Sequence, residues 1–169
     1  MKRPNVVASG AVVLAALITL STCPARAAGQ LVNSWRTPDG WLTEMRVHPN
    51  GARVCSTGKA VQAPRPFGLS IVRSGTENVL LVVDEAQPPT SAGDMSFVQA
   101  GKTVGTLRTQ VAGPAFASAD PFSSQTPDLI AKLTTAALTI DVAGRQYQTD
   151  MAGLPDALAQ LAKCEAEPK

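Results

Sequence analysis

The stretch Leu138-Thr139-Ile140-Asp141-Val142-Ala143-Gly144-Arg145-Gln146-Tyr147-Gln148-Thr149-Asp150-Met151 decides the fold class of this 169-residue chain. Leu138, Ile140 and Val142 alternate with Thr139 and Asp141. Beyond Ala143 and Gly144 the phase resumes, with Tyr147, Thr149 and Met151 set against Gln146, Gln148 and Asp150. A period of two on both sides of a glycine-bearing turn is the pattern of a β-hairpin with one face turned inward.

Upstream, the same signal recurs. Trp41, Thr43, Met45 and Val47 alternate with Leu42, Glu44 and Arg46; Pro49-Asn50-Gly51 then turns the chain into a return strand over 53–57 that carries Cys55. Phe67, Leu69 and Ile71 alternate with Gly68 and Ser70, and Ser74-Gly75 leads into residues 79–83, apolar at every position. Such a continuous run predicts a strand covered on both faces. A third hairpin joins 95–99 to 103–111 around Gly101 and Lys102, with Phe97, Leu107 and Val111 inward. The two prolines within 87–93 mark a loop, and 112–125, punctuated by Gly113, Pro114 and Pro121, reads as an irregular excursion. Thr126 and Pro127 cap a short helix reaching 132 or 133. Gly153-Leu154-Pro155-Asp156 opens a terminal helix through about Cys164, with Ala157, Leu161 and Cys164 on one face. Hairpin connections without helical crossovers predict a mainly β fold: an antiparallel β-sandwich, or a barrel, of about eight strands with one C-terminal α-helix. Residues 28–169 form this single domain.

Lys2 and Arg3 precede the apolar run 11–20, and Ala25-Arg26-Ala27 supplies the small-x-small pattern of a cleavage site, so 1–27 reads as a secretory signal peptide. The run is half of the roughly 20 residues a bilayer-crossing helix needs, and no transmembrane span is expected in the mature chain. Leu20-Ser21-Thr22-Cys23 offers the alternative of a lipoprotein box with Cys23 acylated. Both routes lead to the periplasm or the outer envelope. Losing Lys2, Arg3 and Arg26 with the leader turns the formal charge of +2 into twelve basic against thirteen acidic residues, or −1. The remaining Lys and Arg are scattered singly, without the stripe that tracks a phosphate backbone, so nucleic acid is not an expected partner. Cys55 and Cys164 are then the remaining cysteines, and in an oxidising compartment an even pair is most simply a disulfide. Closing so long a loop restricts the unfolded chain by about 4–5 kcal/mol in the entropy model.

The chemistry of a catalyst is thin. His48, the one histidine, sits between a strand and a turn, and any Ser/His/Asp or Cys/His arrangement would have to recruit it. Gly101-Lys102-Thr103 imitates the end of a phosphate-binding loop, but Ser96 stands where the companion glycine belongs, and a hairpin is expected where that motif needs a helix. One His and two bonded Cys leave little for a metal, and no Asp/Asn-rich calcium loop occurs. Asp84 and Glu85, being adjacent, would point to opposite faces of a strand. No catalytic, cofactor-binding or metal-ligating residue is expected. The candidates for partner contact are the aromatics: Trp35 and Trp41 flanking Pro38-Asp39-Gly40, and Phe116 and Phe122 in the excursion. The plainer alternative puts Trp41 in the core and uses both phenylalanines to staple their loop.

The tail Met151-Ala152-Gly153-Leu154-Pro155-Asp156-Ala157-Leu158, after a strand pair and preceded by an early Trp, a following Cys and a signal peptide, resembles the invasion-associated locus B family of exported bacterial proteins. Members end in Leu-x-Gly-Phe-x-x-Ala-Leu; here Leu154 replaces the Phe, and the family's second, mid-chain cysteine pair is absent. The resemblance implies a β-sandwich in the periplasm or outer envelope, associated in pathogens with host-cell entry, and carries over no catalytic residues. The expected function is that of a non-enzymatic exported envelope protein that binds another envelope or periplasmic protein and meets a membrane only peripherally, through that partner. The alternative is a cofactor-free accessory subunit of a periplasmic membrane-bound enzyme complex such as a dehydrogenase.

Overall fold

The computed structural model describes residues 29–62 and 65–167; the predicted signal peptide and the alternative lipidation site at Cys23 lie outside the described residues. Ten strands and two helices follow one another as β1 (Gln30–Arg36), β2 (Trp41–Val47), β3 (Arg53–Val61), β4 (Phe67–Ser74), β5 (Glu77–Val83), β6 (Asp94–Gln99), β7 (Lys102–Ala112), β8 (Ala115–Ser118), α1 (Gln125–Lys132), β9 (Leu138–Val142), β10 (Arg145–Thr149) and α2 (Leu154–Ala166). The strands form one sheet in the order β1-β2-β3-β4-β5-β8-β7-β6-β9-β10, and every neighbouring pair is antiparallel. β1 and β10 are its two edges, so the sheet is open rather than a closed barrel.

The long strand β7 lets this sheet fold over on itself. Its first part, through Arg108, pairs with β6, whereas Thr109–Ala112 pairs with β8, so one strand serves both layers. Earlier in the β6–β7 ladder a bulge between Phe97 and Val98 stands opposite residues 103–105 of β7, where it adds local bend and twist. Gly105 is required there: a Cβ on it would lie 2.5 Å from Leu129 Cδ1 of α1. Between the layers, Trp41, Met45, Leu69, Ile71, Leu80, Val82, Met95, Phe97, Ile140 and Tyr147 are buried in one cluster with Leu129 and Ile130 of α1 and Leu154, Ala157 and Leu161 of α2.

Three ties hold α2 and the segment leading into it to β2 and β3. Cys55 and Cys164 form the expected disulfide, bridging 109 positions. The Trp41 indole Nε1 donates to the Ala152 carbonyl at 2.8 Å, and Lys59 Nζ reaches Asp150 Oδ1 at 2.6 Å. Ala157, Leu161 and Cys164 are buried along the face the sequence assigned, and Leu154 joins them; the two leucines contribute roughly 1.5–3 kcal/mol each.

The strand count departs from the expected eight at two places. β1 is exposed along nearly its whole length, so it carries no inward alternation; its ladder with β2 makes it a strand. β8 lies in the expected excursion, and all four of its residues are buried. Ala and Ser have weak strand propensity, and the slot between β5 and β7 imposes the conformation. Val111, expected inward, is 42% exposed because it stands beside the β7–β8 turn at the rim of the core. Among the described residues no helix is long and apolar enough to cross a membrane.

Candidate functional site

The most concentrated polar chemistry is a buried carboxylate. Asp84 follows β5, its backbone N–H donates to the Pro114 carbonyl at 2.8 Å, and its side chain is fully buried. Tyr147 Oη donates to Asp84 Oδ2 at 2.8 Å, Arg65 Nη2 to the same oxygen at 2.6 Å, and the Gln87 N–H to Oδ1 at 2.9 Å. Arg145 Nη1 stands 3.6 Å from Oδ2 and also donates to the Gln87 carbonyl. The Arg65 guanidinium lies 4.9 Å from the Tyr147 ring centroid, and that of Arg145 lies 5.6 Å from Phe116. Burial pushes the Asp84 carboxyl up, but the Tyr147, Gln87 and Arg65 donors outweigh it and hold the group below the usual carboxylate range. Burial, then the Asp84 acceptor, pushes the Tyr147 phenol up. Both carboxylate oxygens are engaged by the protein's own donors, and the cluster joins β4's approach, the 84–87 turn and β10. It is a clamp between the layers, built from residues that the sequence reading passed over apart from Asp84. Asp84 is buried and Glu85 exposed, but both lie beyond the end of β5, so their opposite directions do not come from strand alternation.

The residues singled out from sequence are dispersed. Trp41 is fully buried and Phe116 is 1% exposed, so both are corrected from contact candidates to core. Trp41 opens β2 on its inward face, where only the Ala152 carbonyl satisfies its indole N–H; Phe116 lies on the inner face of β8 beneath Arg145. Trp35 is partly buried against the core. Phe122 is 67% exposed, ahead of α1. The four aromatics make no common surface. His48 closes the β2–β3 turn through backbone bonds with Ala52 and Gly51. Ala100 and Gly101 take positive φ in the β6–β7 turn, with Lys102 and Thr103 beginning a strand, which is not the helix N-terminus that phosphate loops use. Among the described residues no three His, Cys, Asp or Glu side chains come together as a metal group.

A different surface stands out: the outer face of β2–β5. On β5, Leu80 and Val82 point into the core and are fully buried, whereas Val79, Leu81 and Val83 point outward and are half-buried. Ladder pairing sets Leu42, Gly58, Ser70 and Leu81 in one row across β2, β3, β4 and β5. Beside them, Gly58, Ala60, Gly68 and Val83 line two adjoining depressions of about 300 and 740 Å3. Arg36, Glu44 and Arg46 stand at the β1–β2 side, and Glu77 and Glu85 at the two ends of β5. A centre without charge inside a rim of both signs is the anatomy of a protein contact surface. The legible signal was the Val79–Val83 run, apolar on both phases.

Compared with family models, with curated proteins and with solved structures, the chain matches none. The likeness to the locus B family therefore rests on the order of features and the tail at 151–158 alone.

Proposed function

We propose that the chain is a non-enzymatic exported envelope protein that acts by binding another protein through the outer face of β2–β5. The observation that carries this reading is β5, whose residues 79–83 are apolar on both faces while Leu80 and Val82 are buried and Val79, Leu81 and Val83 only half-buried. The half-buried patch of Leu42, Leu81, Val79 and Val83 is stabilised by whatever removes its remaining exposed area from water, at roughly 25 cal/mol per Å2. The leader-like residues 1–27 and the disulfide are what an exported domain carries. The Asp84 cluster, with its oxygens engaged internally, acts in this reading as part of the scaffold.

The same face also favours the second reading, an accessory subunit of a periplasmic enzyme complex, which needs an apolar docking surface. Recovery of the chain from its own envelope in mild detergent, beside the Leu81→Arg variant, tests both. A partner held by the wild-type chain and released by the variant is the expected result. Equal recovery of every associated protein with both chains would sink the role of this face.

A further inference from the structure

We infer that the occupant of the outer face is a second copy of this chain, packed sheet against sheet about a two-fold axis that runs parallel to the strands between β3 and β4. The inference rests on the reading of that face as a binding surface. Register and charge carry the choice of occupant. Such an axis brings β2 of one copy over β5 of the other and β3 over β4, in both directions at once. Leu42 and Leu81 end the same cross-strand row, so each copy lays its Leu42 on the other's Leu81. In the row toward the β4–β5 turn, Arg46 is opposite Val54, Cys55 is opposite Arg73, and Ser74 is opposite Glu77. Arg46 and Glu77 thus end one row, and the two-fold brings the partner's Glu77, twice, to an Arg46 whose Nε and Nη2 already hold its own chain's Glu44 at 3.1 and 3.0 Å, so each guanidinium would be shared between two carboxylates.

Shape agrees with this. Gly58, Ser70, Ala60 and Gly68 form the floor along β3 and β4, low enough for two sheets to approach at the roughly 10 Å of face-to-face packing. The open overlap runs over five strands, β1–β5, because the four residues of β8 are already buried. At ~4.8 Å between strands and ~3.3 Å per residue over about seven residues, it measures roughly 24 by 23 Å. That is about 550 Å2, just under the ~600 Å2 per partner at which standard interfaces begin. No like charges meet at the centre, because the centre carries none.

The test is sedimentation velocity on the protein recovered from the periplasm of an exporting host, from ~1 to ~100 μM. The wild-type chain is expected at twice the single-chain mass. Arg46→Glu and Glu77→Arg each place two like-charge contacts in the interface and are expected to raise the dimer Kd about tenfold or more. The pair combined restores attraction and should recover most of that loss. Both sites are on the surface, and circular dichroism establishes that each variant folds. A wild-type monomer at every concentration, or a dimer that ignores both charge reversals, overturns the inference. If a different protein is captured on this face and lost with Leu81→Arg while the chain stays monomeric, self-pairing is overturned and the binding face stands. Indifference of every association to Leu81→Arg overturns the binding face itself.

Discussion

The two faces of β2–β5 are made by the same residues in alternation, yet they have different fates. Inward, Trp41, Met45, Leu69, Ile71, Leu80 and Val82 are buried under the second layer and α2. Outward, Leu42, Val72, Val79, Leu81 and Val83 remain half-exposed above a floor of Gly and Ser. An ordinary antiparallel sheet resolves this asymmetry by making the outer face polar. Here the outer face mixes Glu44, Arg46, Ser56, Ser70, Ser74 and Glu77 with Leu42, Val72, Val79, Leu81 and Val83, so its apolar part is confined to β5 and its immediate row partners, and it is that part which the proposed contact concerns.

Perturbations should separate the two faces, the largest effects lying inside. Replacing Cys55 and Cys164 by Ala removes the tie between β3 and α2 and should cost about 2–5 kcal/mol in denaturant unfolding. Leu80→Ala, which opens a cavity at a fully buried position, should cost about 2–5 kcal/mol. Asp84→Asn removes the counter-charge of Arg65 and Arg145, whose side chains are 31% and 23% exposed. Water screens both partly, and the expected cost is about 1–3 kcal/mol.

The pH dependence follows the same clamps. Asp84, and Asp150 through its Lys59 partner, titrate below their ordinary value in the folded chain. Their contribution is therefore complete above about pH 4 and is lost as pH falls through the lowered folded values. Tyr147 titrates above its ordinary value when folded, so its contribution is present below about pH 10 and lost on further alkalinisation. Thermal unfolding across pH should fall at both ends, and Asp84→Asn should flatten the acid limb. The smallest effect on stability is expected from Leu81→Ser on the outer face, about 1 kcal/mol or less, although this change should abolish association. A large loss of stability there would mean that the chain covers this face itself.

Much of the architecture was legible because alternation is a local signal. The hairpin at 138–151, the β6–β7 turn and the buried face of α2 all follow from spacing within one element, and α1 lies where it was expected, although its N-cap is Ser124, without a side-chain cap bond, and Thr126 and Pro127 stand inside its first turn. Strands β1 and β8 were not legible, because their conformation comes from neighbours distant in sequence: β1 borrows the edge of β2, and β8 fills a slot between β5 and β7. The Asp84 clamp was hidden for the same reason, since Arg65, Asp84 and Tyr147 meet only when the layers close. Aromatic content misdirected the search for a contact surface, because large rings that mark interfaces also fill cores. Trp41 and Phe116 do the latter. The proposed contact surface rests instead on Val79–Val83, apolar on both phases, of which Leu80 and Val82 are buried and Val79, Leu81 and Val83 half-buried.

Hydroxyl-radical footprinting of the leucines, in the intact envelope and in the purified chain at high dilution, is the most direct measurement. Leu42 and Leu81 should be protected in the envelope and reactive in the dilute chain, while Leu158, partly buried on α2 at the inner side of the sheet, reacts equally in both. Equal reactivity of Leu42 and Leu81 in the two settings would contradict the central claim that the outer face of β2–β5 is a contact surface.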